Sequence, residues 1–296
     1  MSTFRKDSCF KVCLLIVAVS FVCFVLSKFQ KIAGSEQWPL ADVQKIAGST
    51  VLPVAGVQKI ARSAVMPVVI PSLEELKTKT EIELEDMYHG FLNNVQVKCN
   101  KIMRVGSIGD GGWNVCLDDE WYPKKPCLVY SFGIGWDSSF DVAMKDIFGC
   151  EVHSFDPFEK KIPNRELLNF HDIGISNKSG IDGGRQFMTL RDTRKHLNHT
   201  NKDISILKMD VESSEWRSLT KAMSDGELNH VKQLALEFHI AGKESAFFIY
   251  ALYIIKNLMD FNFRIYHTER NNNCQYINSR NMKLTKCQNV HLIKVS

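Results

Sequence analysis

The chemistry this chain could carry is concentrated in a few short windows. Gly133 and Gly135 follow the apolar run 128–132. Glycines there let the backbone turn tightly and approach a ligand where a side chain would collide. Asp137 or Ser138 can cap a following helix, whose free N–H groups and positive dipole end favour an anionic group. Asp156 lies at the tip of a second apolar run, about twenty residues on, where an acid can accept hydrogen bonds from both ribose hydroxyls. Farther along, Asp210 and Glu212 end the run that starts at Ile204, and Glu237 and His239 end the run 233–239. Alternation along a strand sets the members of each pair on one face, so the four can converge at a pocket mouth. Such groups can take the proton of an alcohol, with His239 or Asp210 as base and Glu212 orienting the substrate. Singly, each also has a structural reading: Asp210 as a helix cap, His239 as a partner for loop backbone. No metal is assigned, and a divalent ion on Asp210, Glu237 and His239 is the alternative.

Those side chains need a scaffold, and the hydrophobic pattern describes one. Strands are expected at 128–132, 151–155, 168–175, from 204, and at 233–239, with a polar, glycine-rich loop after the third. A short helix is expected at 188–197 and a strongly apolar one at 245–259. Two late strands, 263–267 and 290–295, flank a long Asn-rich loop. The alternation predicts an α/β fold with a mainly parallel sheet and one antiparallel member. A dinucleotide-binding turn would carry a third glycine near position 138; Ser138 stands there, after bulky Trp136. That counts against a nicotinamide-dependent oxidoreductase.

The window 204–216 reads Ile-Ser-Ile-Leu-Lys-Met-Asp-Val-Glu-Ser-Ser-Glu-Trp. With the Gly-x-Gly turn and the Asp156-Pro157 pair, it resembles the S-adenosylmethionine-dependent methyltransferases of the FkbM-related type, in particular the animal group called methyltransferase-like protein 24. The likeness runs from Cys99 to Ser296 and takes in Gly109–Trp113, a tight hairpin turn or a flap over the cofactor. The family pattern has a glycine after the Asp-x-Glu pair, where this chain has Ser213. The resemblance implies a Rossmann-like class I sandwich with a seven-stranded sheet. It implies S-adenosyl-L-methionine as cofactor, its methionine end over Gly133–Gly135 and its ribose on Asp156. Asp172, after the third strand, is the residue best placed to face the adenine amino group. The expected activity is O-methylation of a small-molecule or glycan hydroxyl; a catalytically inactive cofactor-binding module is the alternative.

The amino end is a different kind of sequence. Arg5, Lys6 and Lys11 precede an uncharged apolar run, 12–27. Residues 1–28 are expected to be a cytoplasmic tail and membrane anchor, with a cleaved signal peptide as the alternative. Residues 29–72 hold three copies of a fourteen-residue repeat, Gln-Lys-Ile-Ala in each, and suit a stem. Residues 73–296 are the catalytic domain. This arrangement implies a single-pass membrane protein with a lumenal catalytic domain in the Golgi or secretory pathway, or else a secreted one. Six of the nine cysteines lie beyond the stem, an even number compatible with disulfides. Cys274–Cys287 is the first expected pair and Cys116–Cys127 the second. Asn177 and Asn198 head glycosylation triplets. A net charge of +4 provides no electrostatic footprint for nucleic acid.

Overall fold

The computed structural model describes residues 69–159, 161, 162, 164–242 and 244–296. The expected anchor and repeats lie outside these residues, and no described helix is long and apolar enough to cross a membrane.

Two helices open the described chain, α1 (Leu73–Leu76) and α2 (Glu81–Leu92). Each starts on a reciprocal cap, Ser72 with Glu75 and Thr80 with Glu83, which satisfies amides that the helix start leaves free. Then come β1 (Ile102–Val105), β2 (Trp113–Cys116), β3 (Leu128–Phe132), α3 (Ser139–Phe148), β4 (Glu151–Phe155), β5 (Asn169–His171) and β6 (Ile173–Ile175). They are followed by β7 (Gly180–Asp182), β8 (Arg185–Met188), α4 (Leu190–His196), β9 (Ile204–Met209), α5 (Glu215–Ser224) and β10 (Val231–His239). The last elements are α6 (Ser245–Asp260), β11 (Phe263–Arg270), β12 (Gln275–Ile277), β13 (Lys283–Thr285) and β14 (Cys287–Lys294).

Seven strands form the central sheet in the order β11-β14-β10-β9-β3-β4-β5. The neighbours from β10 across to β5 are parallel, and β14 runs antiparallel to both β10 and β11. The chain winds outward from β3 to β5, then restarts at β9 and winds the other way. The reversal falls between β3 and β9, and it is above the carboxyl ends of strands at such a point that open α/β sheets bind ligands.

Strands β3 and β9 are buried along their whole length, so both faces of the sheet need cover. On one face, Val105, Trp113, Phe140 and Met144 pack against Val129, Val152, Ile206 and Ala235. On the other, Trp216 stacks on Phe238 with ring centroids 4.5 Å apart, and Tyr88 and Phe247 close around it. Helix α6 is buried without interruption from Phe247 to Ile255; a helix apolar all round belongs inside, and it packs on α2, α5 and β11.

Two expectations are corrected. The third strand does not run unbroken through 168–175. It divides at Asp172: β5 stays in the main sheet, while β6 leaves it to pair with β8. The Phe187 ring of β8 covers Gly174, where an added Cβ would stand 2.4 Å from it. The supposed loop that follows is a hairpin, β7–β8, turned by Gly183 and Gly184, both at positive φ. The second correction concerns cysteines. Cys274–Cys287 is bonded, but the other pairs are Cys99–Cys116 and Cys127–Cys150 rather than Cys116–Cys127. Leu128 and Glu151 face each other in parallel register, so the cysteines just before them stand side by side.

Candidate functional site

The glycine turn after β3 is shaped from below. Gly133 has φ +77°, and an added Cβ would lie 1.6 Å from the carbonyl oxygen of Asp210. Conformation and contact both demand glycine there. Gly135, at φ +54°, faces open space, with no atom within 4 Å of an added Cβ. Asp156 is buried beneath the turn. Its Oδ2 accepts the N–H groups of Ile134 and Gly135, both at 3.1 Å, and its Oδ1 those of Phe158 and Glu159 at 2.8 and 2.9 Å. A carboxylate offers about four acceptor positions, so Asp156 already fixes the turn, and a ribose hydroxyl would share or displace one of these donors.

Lys208 completes the support. Its ammonium donates to the Gly133 carbonyl at 2.5 Å and the Phe132 carbonyl at 3.4 Å, and stands 5.1 Å from the Trp113 ring centroid. Nearby, the fully buried Asp141 accepts hydroxyls from Ser131 and Ser154. Burial raises its pKa, against the pull of the Lys208 charge and the two serines.

The second half of the site is crowded with acid. Asp210 and Glu212 follow β9, and Glu237 and His239 end the adjacent β10, so the structure brings together the four residues that alternation paired. His239 Nε2 lies 3.9 Å from Asp210 Oδ1, 3.7 Å from Glu212 Oε2 and 3.6 Å from Glu237 Oε2. All three exceed hydrogen-bond length. Its Nδ1 is held differently, donating to Glu215 Oε1 at 3.2 Å, the same oxygen that accepts the His239 backbone N–H at 2.8 Å. Burial alone would lower the His239 pKa; Glu215 first, then Glu212 and Glu237, outweigh it and hold it at about 10. An imidazole so placed keeps its proton at neutral pH, which leaves Asp210 the better-suited base of the two expected. Burial and the Asp210 charge raise the Glu237 carboxyl, while His239 and a 3.0 Å hydrogen bond from Asn271 oppose the rise.

Glu212 stands at the rim, its side chain 68% exposed. It has φ +51° and Ser213 φ +77°. Ser213 thus takes the left-handed conformation of the glycine expected there, at a cost of roughly 1–2 kcal/mol for a residue with a side chain.

Asp172 is not drawn into this group. Its side chain is 69% exposed and pairs with Arg165 at 3.1 Å. Segment 106–112 joins β1 to β2 as a loop longer than a tight turn. Arg104 gathers it through the carbonyls of Ser107 and Gly109, and an added Cβ on Gly111 would meet Asp137 at 2.5 Å. The loop therefore lies beside the glycine turn. Trp136, 73% exposed, borders the same opening. Sequence reasoning missed Lys208, Asp141 and Glu215; a lysine inside the otherwise apolar Ile-Leu-Lys-Met run was the one available signal.

Residues 74–286 match a family described as "Methyltransferase domain". The human protein named "Probable methyltransferase-like protein 24" is 29% identical over 202 residues, which cover 60% of this chain and 55% of that protein. The rat protein of the same name is 28% identical over the same shares. The chain thus matches little more than half the length of these curated relatives. No solved structure matches it.

Proposed function

Since this chain belongs to the methyltransferase-domain family, we propose that it binds S-adenosyl-L-methionine above the Gly133–Gly135 turn and transfers the methyl group to a small-molecule or glycan hydroxyl. The observation that carries this reading is the contact between Gly133 and the Asp210 carbonyl. It sets the glycine cradle against the acid-rich cluster at the reversal point of the sheet. The residues present fit such a donor: Gly135 opens onto space, and Asp156 beneath the turn would take a ribose hydroxyl in place of one of its four backbone donors. Bound there, the donor supplies a methyl group on a sulfonium; the acceptor oxygen takes it in line as the sulfur–carbon bond breaks and a thioether leaves. Asp210 accepts the hydroxyl proton and Glu212, at the rim, orients the acceptor. The surrounding carboxylates favour entry of a cationic donor.

The proposal extends to location. A lumenal catalytic domain, tethered by the apolar segment 12–27, is supported by three disulfides that use all six cysteines beyond the stem. Glycosidase treatment of cell-expressed protein should raise its gel mobility through glycans on Asn177 or Asn198. Calorimetry with S-adenosylhomocysteine and, separately, NAD tests the donor. Binding of NAD alone would overturn the proposal. Turnover of methyl-labelled donor on glycan and small-molecule fractions tests the transfer, and donor binding without turnover would identify a binding module instead.

A further inference from the structure

We propose that the cluster at the carboxyl ends of β9 and β10 is a site for one divalent cation of the magnesium or manganese class, with Asp210, Glu212 and His239 as its ligands and Glu237 beside them. The site stands on its own geometry; its part in catalysis rests on the methyltransferase reading.

Spacing is the first support. Donors around one such ion, with bonds of about 2.1 Å, stand about 3–4 Å from one another. The ligand atoms of Asp210, Glu212 and His239 all lie within 4.8 Å of one another, and the two carboxylate oxygens stand 3.9 and 3.7 Å from Nε2, too far to hydrogen-bond it and right for sharing an ion. Orientation is the second. The His239 side chain is only 8% exposed, yet its Nε2 makes no hydrogen bond among the described residues and points into the carboxylates. Glu215, wholly buried, accepts the Nδ1–H, and a bound ion would displace the proton that Nε2 carries in the metal-free chain. A carboxylate behind a histidine fixes its tautomer and directs the other nitrogen at a metal.

Charge is the third. Among the described residues, His239 is the shared ion-pair partner of Asp210, Glu212, Glu237 and Glu215. One imidazole cannot balance the acids around it, of which Glu215 and Glu237 are buried, and uncompensated buried charge is expensive. A divalent ion removes the excess. The donors also select the metal: Cys287, opposite His239 in the β10–β14 register, is locked in a disulfide and offers no thiolate. Two carboxylates and one imidazole suit a hard or borderline cation. In the proposed reaction the ion would hold and polarise the acceptor oxygen, easing loss of its proton to the second carboxylate oxygen of Asp210.

Manganese titration of the full-length chain, stripped with chelator and followed by loss of the free-ion electron paramagnetic resonance signal, tests the site. One manganese per chain, competed by magnesium, is expected. Asp210→Asn should weaken binding at least tenfold. Glu212→Gln alters a mostly exposed side chain and should weaken it several-fold in a chain that folds normally. Absent binding, or binding unchanged in Glu212→Gln and Asp210→Asn, overturns the site. Calorimetry with S-adenosylhomocysteine on the same samples separates the two readings. Donor binding without manganese binding removes the cation alone, and manganese binding without donor binding leaves the cation site standing while removing the methyltransferase role.

Discussion

The two ends of the central sheet carry mirror-image clusters. At the carboxyl ends of β9 and β10 one imidazole, His239, stands among four carboxylates. At the amino end of β4 one carboxylate, Glu151, stands among two imidazoles and an ammonium. There Glu151 Oε1 lies 3.1 Å from His153 Nε2 and 3.2 Å from His199 Nε2, and Oε2 accepts Lys202 at 2.7 Å. Tyr130 Oη lies 2.9 Å from His199 Nδ1, and His171 Nε2 2.9 Å from His153 Nδ1. One set of neutral tautomers closes every bond: both Nε2–H groups donate to Glu151, and the two Nδ1 atoms accept. Burial lowers His171 to about 4 and also lowers His199, in keeping with that neutral state. The residue types at the two ends are alike; what differs is completeness. A closed network fastens strands, whereas one with an idle buried nitrogen and surplus negative charge is built to receive something.

Substitutions can break or sharpen that contrast. The largest effect is expected from Gly133→Ala, whose Cβ would drive the glycine turn off the Asp210 carbonyl. Stability in denaturant titration should fall by on the order of 3 kcal/mol, and S-adenosylhomocysteine binding should be lost. Wild-type stability and affinity would show that cradle and cluster are not mechanically joined. Lys208→Met strips the Gly133 carbonyl of its donor and Asp141 of its nearby positive charge. It should cost about 2 kcal/mol by the same measurement; no cost would mean the turn supports itself.

Glu151→Gln probes the closed network. The Lys202 hydrogen bond is the main cause that pulls Glu151 down to about 2, so its contribution is present above the unfolded carboxylate value and lost as pH falls through about 2. With this side chain 43% exposed, the variant should lose only about 1 kcal/mol at pH 7. The difference from wild type should vanish near pH 2, with turnover unaffected. The smallest effect is expected from Asp172→Ala, since the side chain already pairs with Arg165. Less than a twofold change in S-adenosylhomocysteine affinity is expected, and a tenfold loss would restore its adenine role.

Much of the scaffold was legible because local pattern and final packing agree. The runs at 128–132 and 151–155 are strands in the chain as they are in the pattern, and the late polar loop does return an antiparallel strand. Where reading failed, the deciding atom was remote. Pairing with β8 draws 173–175 out of the main sheet, and parallel pairing of β3 with β4 decided the cysteine partners. The β7–β8 hairpin had a signal, Asp182-Gly183-Gly184, that polar surroundings disguised as loop. In the site, period-two alternation was enough to gather Asp210, Glu212, Glu237 and His239. Glu215 opens a helix and looks like any surface acid until β10 is laid across it. Nothing in the sequence announced Arg165 as the partner of Asp172.

The Cys274–Cys287 bond has a practical corollary. Cys287 sits opposite His239, and Asn271, which steadies Glu237, lies on the loop that this bond buckles to β14. Thiol reductant in a purification buffer that opens this bond would unfasten that loop at one end. Redox history is therefore an experimental variable for this protein, and assays on cytosolically produced material would sample the unbuckled form.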